Sequence, residues 1–209
     1  TDTVTTTGNQ TYTGAVTLDP PTGALVTMNG TNVTFGSTIL SSTDEADGLT
    51  VAASGDTTFN GIIGGGANTL ATLTTNGGGR TIFNTTAGEA LVIDLDDAVI
   101  VGSGTVGTSS TLTLTGATSV DFASTVNSAA TEVNNLTVAS PLTGFHGVVG
   151  GIAPVGALIT DADGTTTIDT TSVLTSGSQT YNDAVTIDAL NTALTDSSGT
   201  GITFNGTVT

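Results

Sequence analysis

Carboxylates are the residues of this 209-residue sequence whose spacing most directly suggests chemistry. Asp94, Asp96 and Asp97 lie in the stretch LVIDLDDAV, where acidic and apolar residues alternate. A period of two places Asp94 and Asp96 on one face of a strand, ~7 Å apart, and Asp97 on the other. Glycoside hydrolysis uses two carboxyl groups at a defined separation. A polysaccharide-degrading site is therefore one interpretation, but we prefer a solvated strand face and predict no catalytic residue.

Two acidic turns that end in glycine suggest a calcium site instead. The first contains Asp161 and Asp163 in the segment DADG, and the second contains Asp44 and Asp47 in the segment DEADG. Hard cations such as Ca²⁺ take oxygen ligands from carboxylates and backbone carbonyls. Neither turn completes the acidic loop with a distant Glu that is typical of an EF-hand. Calcium is the one cofactor that the sequence suggests, with ordinary acidic turns as the alternative.

Other reactive side chains are scarce. The sequence has no Cys, one His and one Arg, which excludes thiolate chemistry and His-rich metal sites. His146 lies in the segment FHGVV, and Arg80 follows three glycines. We expect His146 in a turn or on the surface, and Arg80 in a loop as an exposed or locally paired cation. We therefore expect a protein that is not an enzyme.

Composition excludes several partners. The formal charge is -17, with 18 acidic residues against a single Arg. Nucleic-acid binding and attraction to an anionic membrane both need Lys and Arg, and no apolar run approaches the ~20 residues of a membrane-spanning helix. The first residue is not Met, so we expect a chain processed or excised from something longer. The lack of Lys and Cys favours an extracellular or cell-surface location.

The local pattern predicts strands. Thr is the most frequent residue, with 49 copies, and Gly follows with 29. Apolar residues alternate with Thr in stretches such as TLTLT at 111–115, and this period of two is typical of half-buried strands. Gly, Asn, Asp and Ser recur between such stretches and supply turns. An all-β protein is therefore expected.

All eight aromatic residues fall in one repeated motif, in which an aromatic is followed by three residues and then usually Val or Ile. The copies begin at Tyr12, Phe35, Phe59, Phe83, Phe122, Phe145, Tyr181 and Phe204. Most are 23 or 24 residues apart, but gaps of 39 and 36 residues follow Phe83 and Phe145. We expect those gaps to hold a shorter or degenerate unit that lacks an aromatic.

A longer repeat connects the two ends of the sequence. Residues 3–40 align without a gap with residues 172–209, at an offset of 169, with 17 identities in 38 positions. We interpret the two segments as homologous parts of a single β-repeat region that covers residues 1–209. Either the chain is a window on a longer array, or its two ends are built to look alike.

Two architectures fit these repeats. A parallel β-helix would make each unit of roughly 23–24 residues one coil, with coils ~4.8 Å apart and an internal stack of aromatic rings. Outward Thr residues would form ladders along such a solenoid. Tandem β-sandwiches would make each unit a hairpin and would explain the irregular gaps. We favour the solenoid because one motif holds every aromatic.

The motif also resembles a known class of proteins. The segments GNQTYTGAVTL, NVTFGSTI, DTTFNGII and ITFNGTVT look like the β-strand repeats of large bacterial surface adhesins, of the filamentous-haemagglutinin-like and autotransporter-passenger-like kinds. The resemblance covers most of the chain, but residues 88–120 and 150–171 match it only loosely. It implies an extracellular β-solenoid, from a prokaryote, that acts in adhesion, matrix or filament building, and it carries no catalytic residues.

These observations lead to one principal expectation and two alternatives. The principal expectation is a structural segment of an extracellular filament, sheath or surface layer, which assembles head to tail or by strand exchange with copies of itself. An adhesin that binds surface glycans or a host protein is the first alternative. The polysaccharide-degrading enzyme built on Asp94, Asp96 and Asp97 is the second.

Overall fold

The structure is a computed structural model that describes residues 2–21, 23–43 and 45–209. The described chain winds into about nine coils of a β-solenoid, in which every strand pairs in parallel with the equivalent strand one coil away. The prediction of an all-β parallel β-helix is confirmed. Tandem sandwiches are excluded, because those would be built from antiparallel strands.

Each coil of the solenoid has three sides, which we name the first, second and third faces in chain order. The strands are β1 (Asp2–Thr5), β2 (Gln10–Tyr12), β3 (Val16–Leu18), β4 (Leu25–Gly30), β5 (Val33–Phe35), β6 (Ile39–Ser41), β7 (Gly48–Ala53), β8 (Asp56–Phe59), β9 (Leu70–Asn76), β10 (Arg80–Phe83), β11 (Ala87–Leu95), β12 (Ala98–Val101), β13 (Thr111–Phe122), β14 (Val126–Ser128), β15 (Asn135–Ala139), β16 (Leu142–Phe145), β17 (Leu158–Thr160), β18 (Thr165–Ile168), β19 (Ser172–Thr175), β20 (Gln179–Tyr181), β21 (Ala184–Ile187), β22 (Ala193–Asp196) and β23 (Ile202–Phe204).

The pairing of these strands defines the three faces. The first face runs through β1, β4, β7, β9, β11, β13, β16, β18 and β21. The second runs through β2, β5, β8, β10, β12 and β14 and ends in β19 and β22. The third begins with β3 and β6 and ends with β13, β15, β17, β20 and β23. The long strands β11 and β13 bend at a corner. The first half of each lies on the third face of one coil, and the second half lies on the first face of the next coil.

One short 3-10 turn, Gly66–Asn68, is the only helical segment in the described ranges. None of the residues described forms a helix long and apolar enough to cross a membrane.

Alternation along each strand decides what enters the core. In β8 and β10, for example, every second residue is buried, and the residues between them face outward. Outward Thr residues therefore stack in columns from coil to coil, as in the series Thr3, Thr27, Thr50 and Thr74. The predicted Thr ladders are confirmed, and the interior fills with Leu, Val, Ile and Phe side chains.

The aromatic rings stack inside the solenoid, but in three columns rather than one. Ring centroids are 5.1–5.3 Å apart between neighbouring coils, with the planes nearly parallel. The columns are Tyr12–Phe35–Phe59–Phe83 on the second face, Phe122–Phe145 on the first and Tyr181–Phe204 on the third. The predicted internal stack is thus confirmed and is divided among the faces.

The two irregular gaps in the sequence mark the points where the aromatic column changes face. Above Phe83 the same position is held by Val101, so the second-face column continues without a ring. The next ring, Phe122, lies above Leu95 on the first face. The motif is a corner: in one copy Phe122 ends β13, three residues turn, and Val126 begins β14. Because each coil has three corners, the motif can move from one corner to another while the coils themselves stay stacked.

Candidate functional site

The three carboxylates of the acidic cluster in the fifth coil, Asp94, Asp96 and Asp97, do not lie on one strand. Asp94 lies outward on β11, whereas Asp96 and Asp97 belong to the turn that follows it. Asp96 is exposed, but Asp97 is buried and accepts a hydrogen bond from the Gly78 N–H at 3.0 Å. The sequence placed Asp94 and Asp96 on one strand, but β11 ends at Leu95, before Asp96.

Asp94 instead lies beside Asp121, its register partner on β13. Burial and the charges of Asp96 and Asp121 raise the pKa of the Asp94 carboxyl. Burial also raises the pKa of Asp97, and the charge of Asp96 adds to this effect. Asp121 was not predicted to join this cluster, although it follows Asp94 by 27 residues, which is close to the length of one coil.

His146 occupies the turn after β16, as the sequence predicts. Its Nε2 is 3.0 Å from Asp121 Oδ1, and its Nδ1 is 3.6 Å from Asp169 Oδ2. The imidazole thus connects carboxylates of the coil before and the coil after its own. All three side chains are substantially exposed, and this arrangement ties neighbouring coils together at the surface.

Arg80 is the first residue of β10, not a loop residue as the sequence suggested. Its Nε and Nη2 donate to the two carboxylate oxygens of Asp56, at 2.9 and 2.8 Å. Asp56 is the register partner of Arg80 in the preceding coil. The side chain is a locally paired cation, which is the arrangement that the sequence analysis expected.

The turns proposed for calcium lie at the same corner of the solenoid, between the third and first faces, but five coils apart. Asp44 falls outside the described residues. Asp47 is fully buried, and its Oδ2 accepts hydrogen bonds from the Ser41 and Ser42 hydroxyl groups at 2.9 and 3.4 Å. This carboxylate therefore already has donors from its own turn.

Asp161 and Asp163 lie in the second of these turns. Asp163 is exposed, and Asp161 is half-buried, so burial raises the pKa of the Asp161 carboxyl. Nearby, the buried Asp183 accepts hydrogen bonds from the hydroxyls of Thr160 and Thr166, at 2.8 and 2.7 Å. Within the described ranges no three His, Asp or Glu side chains group closely enough to hold a metal ion. Calcium binding at either turn stays a prediction.

The two ends of the solenoid present core side chains to solvent. In the first coil, β1 is exposed along its whole length, and Tyr12 and Val16 are only half-buried. Their counterparts one coil further in, Phe35 and Ile39, are 1% and 0% exposed. The first coil thus carries the inward pattern of a stacked coil, but its strands pair on one side only among the described residues.

The last coil is open in the same way. Leu194, Ile202 and Phe204 are half-buried, and Val208 is 47% exposed. The final segment, 207–209, already occupies the first-face position above β21, because Val185 N donates to Thr207 O and Thr209 N donates to Val185 O. The upper edges of β22 and β23 carry no further strand in the described chain.

The two ends also contain the same hydrogen-bond network. Gln10 Nε2 donates to Val4 O, Thr6 Oγ1 and Asn29 O at 3.3, 3.3 and 2.7 Å. Gln179 Nε2 has equivalent acceptors, at 3.2, 3.2 and 2.9 Å, and these are Val173 O, Thr175 Oγ1 and Thr195 O.

In each network the tyrosine two residues after the glutamine donates its hydroxyl to the glutamine Oε1, at 2.8 Å for Tyr12 and 3.1 Å for Tyr181. The networks sit on different faces: Gln10 is on the second face and Gln179 on the third. The sequence repeat therefore reproduces local structure, but turned by one face of the solenoid.

Sequence reasoning missed one further ladder at the corners. Asn side chains pair from coil to coil, as in Asn32 Nδ2 to Asn9 Oδ1 at 3.0 Å and Asn205 Nδ2 to Asn182 Oδ1 at 2.7 Å. The members of each pair are 23 residues apart. That spacing, read together with the aromatic period, is the signal that could have identified them.

Comparisons of this chain with protein-family models, with curated proteins and with solved structures find no match.

Proposed function

We propose that this chain is a structural, non-catalytic segment of an extracellular filament, sheath or surface layer of a prokaryote. In this proposal copies of the chain stack end to end, so that the last coil of one carries the first coil of the next. The observation that carries the proposal is the pair of open ends, which expose core side chains and unpaired strand edges.

Open strand edges are strong templates for further strands. Each unpaired N–H and C=O along an edge can be satisfied by one more strand, and soluble proteins normally block this with charges, prolines or a covering segment. The described residues place no helix or proline over β22 or β23. A second copy offers these edges a strand of the same period and the same inward pattern.

Apolar burial favours the same contact. Val4, Tyr12 and Val16 at one end, and Leu194, Ile202, Phe204 and Val208 at the other, would all leave solvent in an end-to-end stack. Burying such side chains contributes roughly 1.5–3 kcal/mol each when complete. The contact joins two different surfaces of the same molecule, and contacts of that kind continue indefinitely when they do not close on themselves.

The interior position of the rings supports a structural role over a glycan-binding one. Six of the eight aromatic side chains, Phe35, Phe59, Phe83, Phe122, Phe145 and Tyr181, are fully buried. Outward positions on the strands carry mostly Thr, and the molecule has neither Lys nor Cys. With one Arg and no Lys, the chain offers trypsin-like proteases a single cleavage site, which favours an extracellular setting.

A proline in the first coil tests this proposal. Gln10 N donates to Asn32 O and Tyr12 O accepts from Gly36 N, so the backbone groups of Gln10 and Tyr12 face β5. The backbone groups of alternate residues in a strand point to opposite neighbouring strands. The N–H of Thr11 therefore points away from β5, to the open edge. Proline is tolerated where an N–H faces solvent on an edge strand. Thr11→Pro should therefore fold but should not elongate.

The readouts are circular dichroism for the fold, and sedimentation velocity with electron microscopy for assembly. Thr11→Ala is the matched control, since it keeps the N–H and should assemble like the parent. Thr34→Pro, at the equivalent position one coil inside, should lower the melting temperature because its N–H faces β2. Filaments of Thr11→Pro as long and as abundant as those of Thr11→Ala would contradict end-to-end strand addition.

A further inference from the structure

We infer that successive copies in the stack are rotated by one face of the solenoid, so that Tyr12 of each copy lies on Phe204 of the copy before it. This inference rests on the proposed end-to-end assembly and specifies its register. A three-sided solenoid allows three registers, which differ by about a third of a turn. Two independent features of the chain select the same one.

The first feature is the strand position that is still vacant at the last coil. The segment 207–209 already fills the first-face position above β21. The next vacancies along the winding path are above β22 on the second face, above β23 on the third, and then above 207–209. Strands β1, β2 and β3 of an incoming copy fill these three positions in order, without a gap, only if that copy is turned by one face.

The unrotated register fails this test. It would place β1 of the incoming copy above β21, where 207–209 already makes the backbone hydrogen bonds. It would also place Tyr12 above Asp196 instead of above a ring, because β2 would follow the second-face column that ends in β22. The third register would leave the position above β22 empty.

The second feature is the repeat within the sequence. Val4, Gln10, Tyr12 and Val16 are identical to Val173, Gln179, Tyr181 and Val185, at an offset of 169 residues. The second set lies one face further round the solenoid than the first. An incoming first coil that is turned by one face therefore places the same four residue types above Leu194, Ile202, Phe204 and Val208 that the chain itself has beneath them.

In the structure, the second set of residues already lies on top of another coil. Val149 lies beneath Val173, Leu158 beneath Gln179 and Thr166 beneath Val185. In the rotated register the corresponding residues beneath the first coil are Leu194, Ile202 and Val208, which are apolar and half-buried or exposed.

The same register also extends the ring column. The pair Tyr181–Phe204, with centroids 5.1 Å apart, would continue into Tyr12, Phe35, Phe59 and Phe83 of the next copy.

Cysteine cross-linking distinguishes the registers, because the chain has no cysteine of its own. Thr11 and Thr203 are exposed and lie next to Tyr12 and Phe204, so the rotated register brings them together across the interface. The unrotated register would bring Thr11 to Thr195, which is also exposed. Neighbouring strands of a sheet are ~4.8 Å apart, within the Cα separation of ~4.4–6.8 Å that a disulfide accepts.

The experiment oxidises two double variants of the 209-residue chain under assembling conditions. Thr11→Cys with Thr203→Cys should give a ladder of covalent oligomers on a non-reducing gel. Thr11→Cys with Thr195→Cys should give at most dimers, as should each single variant. Thiol-free parent protein is observed in parallel by electron microscopy.

The outcomes separate the two proposals. A ladder from the Thr11 and Thr195 pair, or filaments without a ladder from the Thr11 and Thr203 pair, would overturn the rotated register and leave the filament proposal standing. The absence of both filaments and ladders would overturn the filament proposal and the register together.

Discussion

At the scale of single residues, the pKa values of two carboxylates in the solenoid, Asp97 and Asp196, are shifted in opposite directions. Asp97 is buried with one hydrogen bond from Gly78, so burial raises its pKa. Asp196 is half-buried and accepts hydrogen bonds from Gly201 N, at 2.6 Å, and from the hydroxyls of Ser198 and Thr200, so its pKa lies well below its usual range. The two should therefore contribute to stability with opposite dependence on pH.

The sign for Asp97 follows from linkage. A carboxyl whose pKa is raised on folding contributes stability that is fully present below the unfolded value of ~3.9, and that contribution is lost as the pH rises through the folded pKa. Asp97→Asn removes the buried charge. Its melting temperature relative to the parent should therefore improve as the pH rises from about 4 through the folded pKa of Asp97, and should then level off.

Asp196→Asn is the control of opposite sign. The carboxylate of Asp196 contributes stability above its unfolded pKa, and this is lost as the pH falls through the lower folded value. The deficit of Asp196→Asn relative to the parent should thus shrink below pH ~4. Thermal unfolding followed by circular dichroism measures both. Parallel pH profiles for the parent and Asp97→Asn would contradict the account of the buried carboxyl.

At the scale of elements, the corners control how closely the coils stack. In the motif copies that begin at Phe59, Phe145 and Phe204, the second residue after the ring is glycine. A Cβ atom at Gly61 would meet the backbone of Ser37 in the coil below, and Gly147 and Gly206 are equally close to Ser124 and Asp183. Gly14 holds the same motif position in the first coil, and a Cβ there would meet nothing within 4 Å.

This contrast gives a matched pair of variants. Gly61→Ala should lower the free energy of unfolding by roughly 1–3 kcal/mol, the usual effect of overpacking, because the backbone of Ser37 must move. Gly14→Ala should stay within about 0.5 kcal/mol of the parent. Chemical denaturation of both variants checks this. Equal losses at the two positions would show that the glycines are needed for local conformation and not for close stacking.

Much of the element structure could be predicted from the sequence. Alternation of Thr with apolar residues predicted the strands, and the spacing of Tyr12, Phe35, Phe59 and Phe83 predicted one coil per unit. The change of face after Phe83 and Phe145 could not be predicted, because the motif looks the same at every corner. The partners of His146 and Arg80 were also missed, since they lie on other coils and depend on strand register.

At the scale of the whole molecule, charge opposes the proposed assembly. Each copy carries a formal charge of -17, so bringing copies together is unfavourable at low ionic strength. The distance over which charges interact falls from ~30 Å at 0.01 M salt to ~8 Å at 0.15 M. Backbone and apolar contacts at the ends are little affected by that change. We therefore expect the protein concentration at which filaments appear to fall as salt is raised.

Electron microscopy of the 209-residue chain at neutral pH, across series of protein concentration, salt and calcium, tests end-to-end stacking most directly. The account predicts unbranched filaments whose subunits repeat every ~45 Å along the axis, since nine coils and one strand are spaced by ~4.8 Å per coil. Diffraction from aligned filaments should show that 4.8 Å spacing along the axis. Monodisperse particles at every protein, salt and calcium concentration would contradict the proposed function.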